Sequence, residues 1–399
     1  MTKLLDLKNN SVIAINQNNY TKEDNYKKVC YLDTDNITNN RINAFLKIDL
    51  TKEKLPSRAK RKCSLNSIIY SSVRPNQRHF GIIKEIPKNF LVSTAFIVID
   101  IIDLEKLDPN YLYYYITQDK IIHYLQRIAE CGTSSYPSIT PLDFLNIRIK
   151  LYPLETQQKI ARTLSILDQK IENNHKINEL LHKILELLYE QYFVRFDFLD
   201  ENNKPYQTSG GKMKFSKELN RLIPSGWSVR FLNHKIVSTY QPKTISKTLL
   251  NDSYSYSVYG GGGIIGRFTE YNHEQSEFII SCRGQCGISY LTLPKSWITG
   301  NAMVIRPTKS YTSKTYLYHT IKKYKLTNYI TGSVQPQITR QNLSTMPILI
   351  PKRKTLNKWN NISSLLWNLI HNNMQSTQTL TALRDFLLPL LLTQQVKPQ

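Results

Sequence analysis

Few residues of this chain stand at spacings that could support catalysis. Asp103 and Glu105 end an apolar, strand-like run beside Lys106, and a metal-dependent nuclease could use such carboxylates. Their spacing matches no known motif, so ordinary surface carboxylates are the commoner explanation. Cys282 and Cys286 form an isolated CxxxC without a second pair of ligands, which argues against a structural zinc site. The sequence therefore predicts neither a catalytic residue nor a metal site.

Sequence motifs that would hold a cofactor are also missing. The chain has no GxxxxGK[ST] loop for nucleotide phosphates, and no Asn-Pro-Pro-Tyr or Asp-Pro-Pro-Tyr of an amino-methyltransferase. The run Gly260–Gly263 lacks the strand–GxGxxG–helix context of a dinucleotide site. It predicts a tight turn at which the backbone comes close to a neighbouring segment. We expect no cofactor to be bound by this chain.

The charge balance indicates a polyanionic partner. The chain of 399 residues has 53 lysines and arginines against 30 aspartates and glutamates, a net charge of +23. A codon bias towards lysine is the alternative, but most of the excess lies outside two long helical patterns, which favours nucleic acid. The sequence shows no signal segment and no run of 18 apolar residues, so we expect a soluble, cytoplasmic protein without a membrane partner.

Side chains that could read DNA bases occur in loop-like stretches. Arginine pairs with guanine and asparagine or glutamine with adenine, whereas lysine chiefly meets phosphate. For any single residue a solvated surface charge is the commoner explanation, but sets of them on loops beside strands favour DNA contact. The candidates are Arg58, Lys60, Arg61, Lys62, Arg74, Asn76, Gln77 and Arg78 in the first half, and Arg267, Arg283, Gln285, Gln335, Gln337 and Arg340 in the second.

The elements that must position these side chains repeat once along the chain. Residues Gly132–Thr140 precede an apolar strand, Pro153 and a long helical pattern. Residues Gly332–Thr339 precede an equivalent strand, Pro351 and a second long helical pattern. This self-similarity predicts two copies of one structural unit.

Each long helical pattern has ten seam positions at heptad spacing, of which the fifth and sixth are polar. If the helices pack antiparallel as a coiled coil, these four residues share one layer that fixes the register. Two amphipathic helices in separate cores are the alternative. The seams are Ile160, Leu164, Leu167, Ile171, Asn174, Asn178, Leu181, Leu185, Leu188 and Tyr192, and Trp359, Ile362, Leu366, Leu369, Asn373, Ser376, Leu380, Leu383, Leu387 and Leu390.

The remaining patterns predict an α+β fold. Apolar runs at Ser67–Ser71, Gly81–Ile83 and Phe96–Ile99 indicate strands, and residues 109–128 and 315–330 indicate helices. We predict two domains of short strands and helices, separated by two long helices that form an antiparallel coiled coil. The predicted boundaries are 1–152 and 198–352 for the two domains with the linker, and 153–197 and 353–399 for the helices.

Several motifs resemble the specificity subunit of type I restriction–modification systems, and together they cover nearly the whole chain. Residues Pro153–Ala161, Leu167–Ile171 and Asn173–Asn178 are similar to the central spacer helix of that family. The following ranges are similar to its target recognition domains: Tyr256–Gly266 with Ser281–Gly287 and Trp297–Ala302, and Pro56–Lys62 with Tyr70–His79.

The resemblance implies a non-catalytic subunit whose two recognition domains each bind one half of a bipartite DNA target. Because the two domains differ in sequence, we expect an asymmetric target. The spacer helices would set the spacing and dock two methyltransferase subunits that bind S-adenosylmethionine, and restriction–translocase subunits would bring ATP and Mg²⁺. The alternatives are a structural protein that binds nucleic acid without sequence preference, and a DNA-modifying enzyme with an unrecognised site.

Overall fold

The computed structural model describes residues 1–38, 40–132, 136–251, 254–332 and 335–397 of the protein. Parts of both repeat stretches, Thr133–Ser135 and Ser333–Val334, lie outside these residues. The chain forms two compact units, of which unit 1 comprises residues 1–172 and 377–399 and unit 2 comprises residues 173–376. Both units mix helices with short strands, which confirms the predicted α+β class.

Unit 1 contains two four-stranded sheets with the strand orders β6-β3-β10-β7 and β2-β11-β8-β9. Strands β3 and β10 are parallel, whereas β11 pairs antiparallel with both β2 and β8. The strands are β1 (Thr2–Lys3), β2 (Ile13–Ile15), β3 (Lys28–Leu32), β4 (Ile37–Thr38), β5 (Arg41–Ile42), β6 (Leu46–Asp49), β7 (Ala59–Arg61), β8 (Ile68–Ser71), β9 (Phe80–Ile82), β10 (Phe90–Ser93), β11 (Phe96–Ile101) and β12 (Arg148–Ile149).

The helices of unit 1 are α1 (Leu4–Asn9), α2 (Pro109–Ile116), α3 (Asp119–Glu130) and α4 (Pro141–Leu145), followed by the first part of α5 (Leu154–Tyr189). The single helix predicted over residues 109–128 is thus two helices. Pro109 stands in the first turn of α2, where the Asp108 carboxylate accepts the N–H of Tyr111 at 2.8 Å. Thr140 caps α4 in the same way, with Asp143 completing the capping box.

Unit 2 is built from a four-stranded sheet β16-β22-β19-β20, a three-stranded sheet β18-β17-β21 and three two-stranded pairs. Its strands are β13 (Met213–Ser216), β14 (Arg221–Pro224), β15 (Ser228–Phe231), β16 (Val237–Tyr240), β17 (Tyr256–Gly260), β18 (Gly263–Phe268), β19 (Phe278–Ser281), β20 (Ser289–Leu291), β21 (Trp297–Ile298), β22 (Ala302–Pro307), β23 (Ile330–Thr331), β24 (Gln337–Ile338) and β25 (Pro347–Ile350).

The helices of unit 2 are α6 (Lys314–Lys322), α7 (Arg340–Leu343) and the first part of α8 (Arg353–Thr393). Helix α6 is shorter than the predicted 315–330, because a separate 3-10 turn covers Leu326–Tyr329. After Tyr189, α5 ends in a π-helical turn at Glu190–Val194. Helix α8 continues past Pro389 to Thr393. None of the helices in the described part of the chain is long and apolar enough to cross a membrane.

Helices α5 and α8 run antiparallel within each unit. In unit 1, Arg384 of α8 binds the carboxylate of Asp168 at 2.8 Å, and the Tyr152 hydroxyl donates to the Leu392 carbonyl at 3.1 Å. In unit 2, the side-chain amide of Asn373 donates to the Oδ1 of Asn178 at 2.9 Å, and the ring centroids of Trp359 and Tyr189 are 5.8 Å apart. Residue numbers on α8 therefore fall as those on α5 rise, as the antiparallel pairing requires.

The predicted seam of α8 is wrong in several positions. Ile362, Leu369 and Leu383 are exposed, and Ser376 is exposed as well. The buried face instead contains Ser363, Trp367 and Ile370. The reason is that this face of α8 also packs on α6, where the Ser363 and Thr315 hydroxyls are 2.8 Å apart and Trp367 meets Tyr318. That Asn174, Asn178, Asn373 and Ser376 set the register stays a prediction.

Two histidines are buried in the aromatic core of unit 2. His319 of α6 stacks on Tyr189 and meets the edge of Trp359, and the Nε2 atoms of His319 and His371 have no hydrogen-bond partner. Burial, with a smaller contribution from nearby lysines, lowers the pKa of His319 to about 3 and that of His371 to about 4. Unit 2 therefore holds both rings neutral.

Acidification should destabilise unit 2 through these two histidines. Both folded pKa values lie below the ordinary 6.5, so this stabilisation is complete above pH 6.5 and is lost as the pH falls towards 4. At pH 5 each ring should cost about 2 kcal/mol. All four tryptophans, Trp227, Trp297, Trp359 and Trp367, belong to unit 2, so tryptophan fluorescence during urea unfolding isolates this effect.

The matched variant is His319→Phe, which keeps an aromatic ring and removes one titrating group. It should lose less stability than the wild type between pH 7 and pH 5, with the two proteins compared at pH 8 as the reference. An identical acid dependence in both proteins would contradict the assignment.

Candidate nucleic-acid interface

The loop that follows β8 in unit 1 is held by backbone contacts. Val73 forms a β-bridge with Ser138, and the Ile139 N–H donates to the Ser72 carbonyl at 2.8 Å. The Arg74 N–H donates to the Pro137 carbonyl at 2.9 Å. The repeat stretch ahead of α4 therefore serves as the support of this loop.

The same loop carries those residues of unit 1 that are candidates for reading DNA bases. Arg74, Asn76 and Gln77 are exposed, and the guanidinium of Arg74 lies over the ring of Tyr136 at 5.4 Å. Arg74 and Arg78 flank a 3-10 turn at Pro75–Gln77 and both have left-handed backbones, with φ of 48° and 55°. Arg78 differs from Arg74 because it forms an ion pair with Asp119 at 2.8 Å.

The basic run at residues 58–62 divides into two groups. Arg58 and Lys60 are exposed, so both can meet a polyanion. Arg61 turns towards the protein, where its Nη2 donates to the Thr94 carbonyl at 3.5 Å and burial lowers its pKa. Lys62 binds the Asp24 carboxylate at 2.6 Å, and this hydrogen bond raises the pKa of the lysine. The structure thus engages Arg61 and Lys62 in contacts within unit 1.

The loop that follows β19 in unit 2 is supported in the same way. Arg283 forms a β-bridge with Gln337, and the Ile338 N–H donates to the Cys282 carbonyl at 3.1 Å. The Cys286 thiol donates to the Pro336 carbonyl at 3.1 Å. Both cysteines are free thiols, and burial raises the pKa of each.

Four of the six candidates in unit 2 belong to these two supported segments, and all four are exposed: Arg283, Gln285, Gln335 and Gln337. Arg340 is also exposed, in the first turn of α7. Arg267 stands towards the end of β18, away from the hairpin turn, and donates to the carbonyls of Tyr254 and Ser255. Its donors are therefore partly used within unit 2.

The predicted glycine turn, Gly260–Gly263, lies next to the loop that carries Arg283 and Gln285. Gly260 pairs with Gly263 across the β17–β18 hairpin, which confirms the tight turn. A Cβ on Gly261 would lie 2.7 Å from the Arg283 carbonyl oxygen and 2.9 Å from the Ser281 hydroxyl. Only glycine allows the hairpin this close approach, so the turn positions the Arg283 loop.

The two loops occupy equivalent places in the repeat. The Ile139–Ser72 hydrogen bond of unit 1 corresponds to the Ile338–Cys282 hydrogen bond of unit 2. Counting from these bonds, Val73 corresponds to Arg283 and Ser138 to Gln337, and these are the residues of the two β-bridges. The left-handed Arg74 likewise corresponds to the left-handed Gly284. Each unit therefore carries different side chains on one backbone frame.

Sequence reasoning missed Tyr136, which is 60% exposed beside Arg74. A signal was available, since Tyr136 stands at the repeat position that Gln335 occupies in the second copy. Asp103 and Lys106 bind each other at 2.8 Å, and this contact lowers the pKa of the Asp103 carboxylate. Within the described ranges, no three histidine, cysteine or carboxylate side chains form a group that could hold a metal ion.

Comparisons with known proteins show the family of the chain and solved structures that it resembles in fold. The model of the type I restriction modification DNA specificity domain matches residues 6–183 and 224–382. The HindI specificity subunit of Haemophilus influenzae is 22% identical, with 93% of this chain and 95% of that protein covered. The MjaIX specificity subunit of Methanocaldococcus jannaschii is 24% identical, with 73% and 70% covered. In fold, the chain resembles the type I system S subunit from M. genitalium, with a TM-score of 0.56, 15% identity and coverage of 98% and 95%.

The close approach of Gly261 to the Arg283 carbonyl allows a test of whether the glycine hairpin positions the Arg283 loop for DNA binding. Gly261→Ala should push the Arg283 carbonyl away at a cost of about 1–3 kcal/mol and weaken binding to duplex DNA by roughly tenfold or more. Fluorescence anisotropy on labelled duplex measures the affinity, and tryptophan fluorescence checks that unit 2 remains folded.

Gly262→Ala is the matched control, since its Cβ would meet only the Gln285 Oε1 at 3.5 Å, an ordinary contact. This variant should bind like the wild type. Equal losses in both variants, or none in Gly261→Ala, would show that the hairpin does not position the Arg283 loop.

Proposed function

Because the chain belongs to the family of type I restriction–modification DNA specificity domains and is a non-catalytic specificity subunit, we propose that its two loop clusters each read one half of an asymmetric, bipartite DNA target. The observation that carries this proposal is the shared backbone frame with unlike side chains. Unit 1 presents Arg74 with Asn76 and Gln77, whereas unit 2 presents Arg283 with three glutamines. Different donor and acceptor sets select different bases.

In this proposal α5 and α8 set the distance between the half-targets, as a ruler of paired helices would. Two methyltransferase subunits dock on the helices, bind S-adenosylmethionine and flip out one adenine in each half. Restriction–translocase subunits join this complex and bring ATP and Mg²⁺. Arg58 and Lys60 are exposed, and in this proposal they contact phosphates and hold unit 1 on the duplex.

Domain exchange tests the reading of one half-target by one unit. Replacing residues 1–152 by the equivalent domain of a related subunit, and co-expressing the chimera with the methyltransferase, should change one half of the methylated motif. The other half and the gap should remain, because residues of unit 2 and the helices are unchanged. Genome-wide mapping of methylated adenine reads the motif directly.

The unexchanged subunit, co-expressed with the same methyltransferase, is the control. A change in both halves would refute the assignment of one half to each unit. Methylation without any gapped motif would instead favour the alternative of a nucleic-acid-binding protein without sequence preference.

Exposed apolar side chains on α5 support the docking of a partner protein. Ile177, Leu180, Ile184 and Leu187 recur at steps of three, four and three residues, so they form one stripe on the helix. They are 44–63% exposed although α5 already buries Leu185 on another face. Helix α8 exposes Ile362, Leu365 and Leu369 at the same kind of spacing within unit 2. Exposed apolar stripes of this kind are typical of protein interfaces.

Charges placed in the α5 stripe should abolish docking of the methyltransferase. The double variant Leu180→Asp and Leu187→Asp buries two charges in the interface, which should weaken the complex by at least 100-fold. Copurification and size-exclusion chromatography measure the complex. Glu179→Lys is the control, because it also changes the charge of the helix by two, at an exposed position that is neither three nor four residues from a member of the stripe. Intact copurification of the double variant would place the methyltransferase elsewhere.

A further inference from the structure

We propose that Tyr136 and Arg74 form one base-reading pair in unit 1, in which Arg74 hydrogen-bonds a guanine and Tyr136 positions its guanidinium. The proposal rests on the proposed function and deepens it, since it names a specificity-determining residue and a positioning residue of one half-target. Neither residue is part of a hydrophobic core, and both lie on the backbone frame that the two units share.

The first observation is the contact between the two side chains. The Arg74 guanidinium carbon lies 5.4 Å from the centroid of the Tyr136 ring. A guanidinium at this distance is attracted by the face of the ring, by about 0.5–1 kcal/mol at an exposed site. The contact orients a long side chain that would otherwise sample many rotamers. Arg74 therefore meets DNA with less conformational entropy to lose.

The second observation is that the backbone fixes both partners. The Arg74 N–H donates to the carbonyl of Pro137, the residue next to Tyr136, and the Val73–Ser138 bridge flanks this bond. Arg74 has a left-handed backbone with φ of 48°, whereas the equivalent residue of unit 2 is Gly284. An arginine kept where glycine is preferred costs about 1 kcal/mol or more, and such strain clusters at functional sites.

The third observation is the free hydrogen-bonding capacity of Arg74. Arg78 in the same loop gives a donor to Asp119, but no ion pair of Arg74 occurs among the residues that the structure describes. Its guanidinium therefore keeps the fork of donors that matches O6 and N7 of guanine in the major groove. A lysine at this place would carry the charge without the fork.

The second copy of the repeat shows that these positions vary. Unit 2 has Gln335 in place of Tyr136 and Gln337 in place of Ser138, and its exposed arginine, Arg283, is one residue earlier than Arg74. The frame thus carries an arginine–tyrosine pair in one copy and an arginine with glutamines in the other. This is the variation that two different half-targets require.

The test uses the complex of this subunit with its methyltransferase, on duplexes that carry each single-base change in the half-target governed by residues 1–152. Arg74→Lys should lower discrimination at one guanine by about 10- to 100-fold, because a bidentate pair contributes about 1–3 kcal/mol. Tyr136→Leu should relax the same position, and Tyr136→Phe should restore it because the ring is kept. Competition binding and adenine-methylation mapping measure both effects.

Other outcomes would overturn the pair. If Arg74 meets only phosphate, Arg74→Lys keeps full discrimination. If Tyr136 has only a structural role, Tyr136→Leu lowers affinity equally for all duplexes. If Tyr136→Phe behaves like Tyr136→Leu, the ring does not position the guanidinium. The same conclusion holds if the variants of Arg74 and Tyr136 relax discrimination at different base pairs. Failure of the domain exchange would refute the proposed function itself, whereas success of that exchange with unchanged discrimination here would refute only the pair.

Folding does not confound these variants. Tyr136 is 60% exposed and Arg74 is exposed, so neither substitution removes a core contact. Methylation of the unaltered, complete target by each variant shows that its complex is assembled.

Discussion

The backbone hydrogen bond between a strand-following loop and the repeat stretch is the contact on which each unit depends. In unit 1 it joins Ile139 to Ser72, and in unit 2 it joins Ile338 to Cys282. The isoleucines are buried, at 4% and 2% exposure, so each bond lies at the edge of a core. Main-chain bonds do not depend on side-chain identity. Loop side chains can therefore differ between the units while the loop backbone keeps its place.

A short helix directly after the repeat stretch, α4 in unit 1 and α7 in unit 2, fixes the other end of that stretch. Thr140 and Thr339 follow the paired isoleucines directly, and each caps a short helix by accepting an N–H with its hydroxyl. A buried phenylalanine or leucine in each short helix, Phe144 or Leu343, then ties it into the core. The short capped helix packs on the core, and the stretch before it holds the strand-following loop in place. Rigid support matters because base readout needs donors held within fractions of an ångström.

The sequence allowed the class of fold, the repeat and the antiparallel helix pairing to be predicted, because each depends on apolar spacing or local turn chemistry. Strands β8 and β11 and the glycine hairpin are examples. The seam of α8 could not be predicted, since a heptad pattern does not show that Trp367 must also pack on Tyr318. Among the site residues, charge alone could not separate Arg74 from Arg78, because only the fold brings Asp119 to one of them.

In each unit the backbone contacts that hold the loop and the exposed side chains on the loop differ in how much they contribute to stability. A buried backbone bond left without a partner costs about 1–3 kcal/mol, so the frame tolerates little change. An exposed side chain on the loop contributes little to folding, and substitutions there usually shift stability by less than about 0.5 kcal/mol. Residues such as Gln285 and Gln337, both exposed, can therefore change without loss of the fold. Two copies of one backbone arrangement can thus carry different exposed side chains, because the contacts that stabilise each unit are separate from the loop side chains that we propose to read DNA.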